Sequence, residues 1–492
     1  MHTRYNIIQL LISTLFLVQC TSEPREEEKP NVLFIAVDDL RPELAGYGKT
    51  HVKSPHLDNL LAAGVKFERA YCNVPVCGAS RASLLTGIRP AYHRFLHYYT
   101  EARVEAPGIT TLPGHFKKNG YETISIGKIF HTPADKEKEA WSQVPYRLDH
   151  HLTPEGTWSG EGWQNYITRE NLVRAENNAG GYAMPWEVAE VHDTAYHDGK
   201  YAQKAIQYLK EFKANKKPFF LSVGFLRPHL PFNAPKKYWD LYDPRTLALA
   251  NNPFMPENAP PQAGYHWQEL RFYNGIPKQG PVSDSTARVL LHGYYASVSY
   301  IDRLIGSVLD ELKRLELERN TIVVLWGDHG WNLGEHGFWC KHVNFETSLR
   351  TTLALSGPGI VPGASKSIVE LVDLYPTLLD LCQLPLPDHT LEGVSLAPVL
   401  QGKEEKVKDY AISKWKNGIT YVGERYFYTE WHDPGRNTVA RMLYDHENDP
   451  DENTNIAELE ENADLVKELS EKLRQNLKEE YWAEGVGSYP GH

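Results

Sequence analysis

Four short segments of this chain gather groups that can exchange protons or hold a cation. They are Asp38-Asp39, Lys128 and His131 in Gly127-Lys128-Ile129-Phe130-His131, His229 in Arg227-Pro228-His229-Leu230-Pro231, and Asp328-His329 in Gly327-Asp328-His329-Gly330. Each follows an apolar run, at residues 31–37, 123–126, 218–223 and 321–325. Continuous apolar runs of this length suit strands buried on both faces of a parallel sheet. Open α/β sheets bind their ligands beyond the carboxyl ends of the strands. Any one of the four segments could be a plain turn. Four together define the rim of an active site, and a turn alone would not explain two adjacent carboxylates straight after a buried strand. Carboxylates are hard oxygen ligands for a divalent cation, and imidazoles titrate near neutrality, so the rim can combine metal binding with proton transfer.

The elements that must position these groups alternate along the chain. Apolar residues on one face predict helices over 54–63, 201–212 and 295–315. Strands alternating with such helices imply an α/β sandwich around a mostly parallel central sheet. The stretches 136–191 and 251–285, rich in Trp, Gly, Asn, His and Pro, read as cleft walls. From about residue 405 the pattern changes. Alternating Tyr, Ile, Val and Phe over 409–416 and 418–430 predict a small antiparallel sheet, and 457–477 a closing helix. The chain thus divides into a catalytic domain over 31–404 and a C-terminal α+β subdomain over 405–492. His93, Arg94 and His97, which follow the segment 77–87, and His192, Asp193, His197, His266 and Trp267, in or beside these stretches, are candidate ligand contacts, although a plain surface or packing role fits each of them better.

With 492 residues the chain suits one large α/β domain and a smaller companion. A net charge of −11 argues against nucleic acid as a partner. It does not exclude an anionic substrate where cations gather locally. Twelve Trp and 28 Tyr suit a carbohydrate cleft as well as ordinary packing. Residues 1–20 have the form of an export signal: Arg4, then an apolar run over 7–18 that is short for a membrane span. The run ends at Leu17-Val18-Gln19-Cys20, which resembles a bacterial lipoprotein processing site, with Gln19 in place of the usual small residue. A lipid on Cys20 would tie the protein to a membrane as a periplasmic or cell-surface lipoprotein. Residues 21–30, with Glu23 and Glu26 to Glu28, form a polar tether and resemble surface-export signals. Apart from Cys20 and Cys77, only Cys72, Cys340 and Cys382 remain, so at most one disulfide can form among them and no CxxC pair exists.

The most specific segment is Cys77-Gly78-Ala79-Ser80-Arg81, followed by Leu84-Leu85-Thr86-Gly87. It resembles the sulfatase signature, in which the Cys is converted to formylglycine. The segments around Lys128, His229 and Asp328, together with Leu443-Tyr444-Asp445, resemble the iduronate-2-sulfatase-like branch. The resemblance implies an alkaline-phosphatase-like fold, one bound Ca2+, a sulfatase-maturing enzyme as partner, and a sulfated oligosaccharide or polysaccharide as substrate. Ala79 is the rarer residue two places after the Cys, which leaves the type of maturing enzyme open.

By the same resemblance the hydrate of formylglycine at residue 77 attacks sulfur. Asp38, Asp39, residue 77, Asp328 and His329 are the metal set. His329 stands where most sulfatases have Asn and the iduronate branch has His. Arg81 steadies the nucleophile, while Lys128 and Lys341, the latter in Trp339-Cys340-Lys341-His342, bind sulfate oxygens. His229, with Lys341, protonates the departing sugar oxygen. His131 takes the proton that restores the aldehyde, and Asp328 assists deprotonation of the attacking hydroxyl. A phosphate or phosphonate monoester hydrolase of the same superfamily is the competing enzyme class, the phosphatases usually needing ligands for a second metal. A non-catalytic glycan-binding lipoprotein would have lost some of these residues, and all are present. Sulfated glycans of algae, such as ulvan, and glycosaminoglycans are the expected substrates.

Overall fold

The structure, a computed structural model, describes residues 29–160, 162–264 and 269–478. The expected signal segment with Cys20, and His266 and Trp267, lie outside these residues. No helix among the described residues is long and apolar enough to cross a membrane.

Strand β1 (Asn31–Val37) is buried along its whole length. Val32, Phe34 and Ala36 enter one hydrophobic cluster, and Leu33, Ile35 and Val37 enter another. Side chains of a strand alternate between faces, so a strand that is apolar throughout needs cover on both sides. Its neighbours share that need. The central sheet also contains β2 (Val65–Tyr71), β3 (Glu122–Gly127), β4 (Phe219–Phe225), β5 (Thr321–Gly327), β6 (Arg350–Thr351), β7 (Leu353–Ser356) and β8 (Gly363–Glu370). The order is β6-β2-β7-β5-β1-β4-β3, with β8 also beside β2. β1, β3, β4 and β5 form the parallel block, β8 runs parallel to β2, and β6 and β7 pair antiparallel.

Helices cover both faces. α1 (Pro55–Ala63), α3 (His197–Asn215) and α4 (Asp284–Arg314) lie on one. α2 (Cys77–Thr86) and α5 (Leu374–Leu381) lie on the other. α4 starts about three turns before the predicted 295, because Ser283 caps it by accepting from Thr286 N at 3.3 Å and Ala287, Leu290 and Leu291 are buried. The stretch 136–191 contains a short helix, Arg169–Glu176, capped by Thr168, as well as short strands.

The C-terminal sheet has four antiparallel strands: β9 (Ala411–Trp415), β10 (Gly418–Val422), β11 (Tyr426–His432) and β12 (Thr438–Asp445). Within the stretch 418–430 the chain turns at 423–425, between β10 and β11. One face packs Ile412, Tyr428 and Leu443 against Leu469 and Leu473 of α6 (Ala463–Gln475). Trp415, Phe427, Trp431 and Tyr444 on the other face join the core of the large domain, so the two parts share one hydrophobic interior. α6 is shorter than the predicted 457–477.

Register sets what leaves the sheet. Val37 pairs with Gly327 and with Phe225, and Gly127 pairs with Gly224. The parallel strands therefore end level, and Asp38, Asp328 and Lys128 emerge side by side. The β3–β4 end is held by Lys128 N donating to Gly224 O at 2.9 Å. A Cβ on Gly224 would lie 2.0 Å from Lys128 O. Gly224→Ala is therefore expected to cost about 1–3 kcal/mol in chemical denaturation, as an overpacked interior does. Gly363→Ala, where a Cβ meets nothing within 4 Å, should stay within about 0.5 kcal/mol.

Candidate active site

Helix α2 begins at Cys77, and all ten of its residues are buried. Its N-terminus can dock here because residue 78 is Gly: a Cβ would sit 1.9 Å from Tyr98 O. One turn on, Arg81 points at the strand ends and is fully buried. It donates to Asp328 Oδ2 at 3.0 Å, to Asp38 Oδ1 at 2.9 Å, and to the carbonyls of Lys128 and Ile129. Lys128 Nζ reaches Asp38 Oδ2 at 2.6 Å. Asp39 has φ +60° and donates its backbone N–H to Asp328 Oδ1 at 3.0 Å. Ser80 Oγ donates to the Asp328 carbonyl at 2.5 Å.

Lys341 closes the far side. Its ammonium lies 3.1 Å from both oxygens of Asp39, 3.2 Å from Glu269 Oε2, and 4.9 Å from the centre of the Trp331 ring. It follows a short hairpin (Asn332–Leu333 with Trp339–Cys340), and its neighbours Cys340 and His342 have φ of +73° and +78°. His342 stacks on Trp415 of β9 at 5.0 Å, and Asn344 Nδ2 donates to Thr420 Oγ1 at 3.1 Å. The C-terminal sheet thus props the segment that carries Lys341.

The two central imidazoles are oriented by carbonyls. His329 Nδ1 lies 2.8 Å from Gly330 O, and His229 Nδ1 lies 2.7 Å from Leu230 O. A carbonyl only accepts, so Nδ1 carries the hydrogen in both and Nε2 faces the cluster. His329 Nε2 is 3.3 Å from Cys77 Sγ and 3.4 Å from Asp39 Oδ1. His229 Nε2 is 3.5 Å from Glu269 Oε1 and 3.8 Å from Asp39 Oδ2. His131, on the Lys128 loop, has a buried Nδ1 with no hydrogen-bond partner, and its ring lies 6.0 Å from that of Tyr98.

The electrostatics follow from burial against pairing. Burial favours the neutral form of Asp38, but Lys128 and Arg81 outweigh it and hold the carboxyl well below its ordinary range. Asp39 goes the other way: burial, with Cys77 and Asp38 nearby, lifts it despite Lys341. Burial pushes the Cys77 thiol up to about 12, against Lys128 and Lys341. Burial also lowers His229 and His131, aided by Lys341 and Lys128 respectively.

Cys77, Arg81, Lys128, His229, Lys341, Asp38, Asp39, Asp328 and His329, all expected from the sequence, meet here, with His131 beside them on the Lys128 loop. His192 instead caps a turn through Thr194, Asp193 pairs with Lys237, and His197 starts α3. Arg94 donates to Arg89 O, and His97 stacks on Tyr99 at 4.7 Å. Glu269, Trp331 and Trp163, whose ring stands edge-on to His229 at 5.5 Å, were not foreseen. They come from loops, and no local spacing marks them.

Cations ranged around carboxylates at the strand ends of an alkaline-phosphatase-like sandwich make a hydrolase for anionic esters. The sequence matches the sulfatase family over residues 30–384 and the family "N-sulphoglucosamine sulphohydrolase, C-terminal" over 334–479. It is 36% identical to mouse (Mus musculus) iduronate 2-sulfatase, covering 73% of this chain and 69% of that one. It is 27% identical to an ulvan-active sulfatase of Formosa agariphila over 95% and 85%. Phosphonate monoester hydrolase of Agrobacterium radiobacter has the same fold, with a TM-score of 0.72, 24% identity, and 92% and 97% coverage. The chain belongs to the sulfatase family and is a hydrolase of sulfate esters.

Arg81 bridges two buried carboxylates that lack other full-strength charge partners of their own, apart from Lys128 on Asp38. Removing one member of a buried ion cluster strands the rest. Arg81→Met should lower the unfolding free energy by about 3–5 kcal/mol in denaturant titration, whereas a loss under about 1 kcal/mol would show that the cluster does not depend on it.

Proposed function

We propose that this sulfatase removes sulfate from a sulfated oligosaccharide or polysaccharide, with Cys77 matured to formylglycine and one calcium ion held at the strand ends. The observation that carries this reading is the arrangement of Asp38, Asp39 and Asp328. Their carboxylate oxygens lie within 4.8 Å of one another and are buried. Such hard oxygen donors suit calcium. His329 Nε2 and residue 77 complete the set. Among the described residues, the triplets able to hold a metal all fall in this one cluster, which favours a single ion.

When bound, calcium polarises the ester oxygens and stabilises a deprotonated nucleophile. The hydrate of formylglycine at position 77 supplies that nucleophilic oxygen at the N-terminus of α2, where the helix dipole favours negative charge. Arg81 fixes the carboxylates. Lys128 and Lys341 flank residue 77 from opposite sides and bind the sulfate oxygens as preorganised donors. His229, once it has taken a proton from water at Nε2, passes it, with Lys341, to the departing sugar oxygen. His131 receives the proton as the aldehyde is restored.

Algal glycans such as ulvan, or glycosaminoglycans, are the substrates this reading favours. The support is the similarity to an ulvan-active sulfatase and to iduronate 2-sulfatase. The export signal and Cys20 accord with a polymer met outside the cytoplasm, at a lipid-anchored enzyme.

The test is sulfate release from algal and glycosaminoglycan oligosaccharides, read by ion chromatography, with protein made beside a sulfatase-maturing enzyme. Wild type should release sulfate, and Cys77→Ala should release none while keeping its melting temperature within a few degrees, about the effect of a mild substitution. Undiminished release by Cys77→Ala would remove the formylglycine mechanism. No release by a wild type whose Cys77 is converted by mass spectrometry would turn the search to phosphate and phosphonate esters. Chelation should abolish activity and lower the melting temperature, with calcium restoring both. Activity untouched by chelator would remove the metal assignment.

A further inference from the structure

We propose that Glu269 is a specificity-determining residue that selects esters whose leaving group carries no second negative charge beside the scissile oxygen. The proposal rests on the reading above, in which His229 and Lys341 face the leaving-group side.

Glu269 opens a short 3-10 turn, Glu269–Phe272, and its carboxylate touches both of those residues. Oε2 lies 3.2 Å from Lys341 Nζ, and Oε1 lies 3.5 Å from His229 Nε2. It takes no part in the Asp38–Asp39–Asp328 triplet and sits on the other side of Lys341. The Lys341 ammonium is thereby shared between two carboxylates, Asp39 and Glu269. Lys341 is the one Lys or Arg in ion-pair contact with Glu269 among the described residues.

Exposure shows which of these groups a substrate meets. The side chains of His229 and Glu269 retain 12% and 11% of their surface, against 3% for Lys341 and none for Asp39. The leaving group therefore arrives against an imidazole and a carboxylate, with the ammonium behind them. Neutral aromatic surfaces stand beside this pair: Trp163 edge-on to His229 at 5.5 Å, and Tyr182 against Phe272 at 5.4 Å. A carboxylate only accepts hydrogen bonds, so Glu269 welcomes a sugar hydroxyl. A carboxylate on the leaving group would face Glu269 with little water between them, where like charges repel strongly. Rejection by a like charge is a common source of specificity, and Glu269 must share its one ammonium, Lys341, with Asp39. Of the two kinds of glycan open to this enzyme, the inference selects those whose sulfated residue presents hydroxyls, not a carboxylate, on this side.

The experiment uses the full matured enzyme with two aryl sulfates, 4-nitrophenyl sulfate and 2-carboxy-4-nitrophenyl sulfate, which differ by one carboxylate next to the ester oxygen. Wild type should show a KM about tenfold or more higher for the carboxylated ester. Glu269→Gln should bring the two KM values within about threefold, mainly by improving the carboxylated ester. Glu269→Asp, which keeps the charge, should keep the discrimination. A purely structural role would instead lower kcat on both esters alike. The proposal is overturned if the KM ratio is the same in wild type and Glu269→Gln while the neutral ester still yields sulfate. If wild type acts on oligosaccharides alone, the same KM ratio is read on a sulfated neutral hexose against a sulfated uronic acid, and release from none of these substrates removes the reading on which the inference rests.

Discussion

Carboxylates and cations packed where water scarcely reaches can stay ionised only by holding one another. Taking a lone charge out of water costs several kcal/mol even after relaxation, and pairing returns that energy only when geometry is good. At the strand ends, Arg81 spans Asp38 and Asp328, Lys128 holds Asp38, and Lys341 holds Asp39. Much of the fold follows from this demand. β1, β4 and β5 must end level, so their register is fixed. α2 must approach until Arg81 reaches both carboxylates, which forbids a side chain at residue 78. The β3 end must lie against β4 so that Lys128 arrives beside Asp38, which forbids one at residue 224. Asp39 adopts φ +60° so that its backbone N–H can serve Asp328 while its side chain turns to Lys341.

The same demand explains why the C-terminal subdomain belongs to the site. Lys341 reaches Asp39 from a segment in which two non-glycine residues, Cys340 and His342, are left-handed. Such conformations persist only where the surroundings over-determine them. The stacking of His342 on Trp415 and the bond from Asn344 to Thr420 supply that constraint. A sheet that contributes no group to the chemistry thereby fixes the position of one that does. Its apolar face is continuous with the main core, so it cannot shift without disturbing the large domain.

Four of the strand ends were legible in the sequence because strands buried on both faces read as unbroken apolar runs, and the charged residue that ends each run marks the site. Cys77 and Arg81 were legible because Cys77-Gly78-Ala79-Ser80-Arg81 resembles the sulfatase signature, and α2 then sets the two residues one turn apart. β2 was not, since Lys66, Glu68 and Arg69 interrupt it, and only its partial exposure in the fold accounts for them. The start of α4 was hidden by the Pro- and Gly-rich stretch before it, where the cap on Ser283 outweighs composition. The stretch 418–430, legible as part of an antiparallel sheet, contains a hairpin turn between two strands of similar composition. Glu269 was illegible for a different reason. It meets Lys341 across 72 residues, and nothing in the local pattern of either segment announces the other.

That contrast between regular and irregular elements divides the chemistry as well. The groups that would hold a metal and the ester oxygens stand on strand ends and a helix N-terminus, positions set by the sheet itself. A phosphonate monoester hydrolase shares this fold. The groups on the proposed leaving side, Glu269 and Trp163 with the ring of His229, stand on loops that the core does not dictate. Loops tolerate change that strands do not, because their residues answer to few packing constraints. On the proposal above, selectivity among leaving groups shifts through substitutions such as those at residue 269 while the buried charge cluster stays fixed. The separation is incomplete at one point. Lys341 is bonded to Asp39 of the frame and to Glu269 of the loop, so any change at Glu269 is felt by the cation that both sides share.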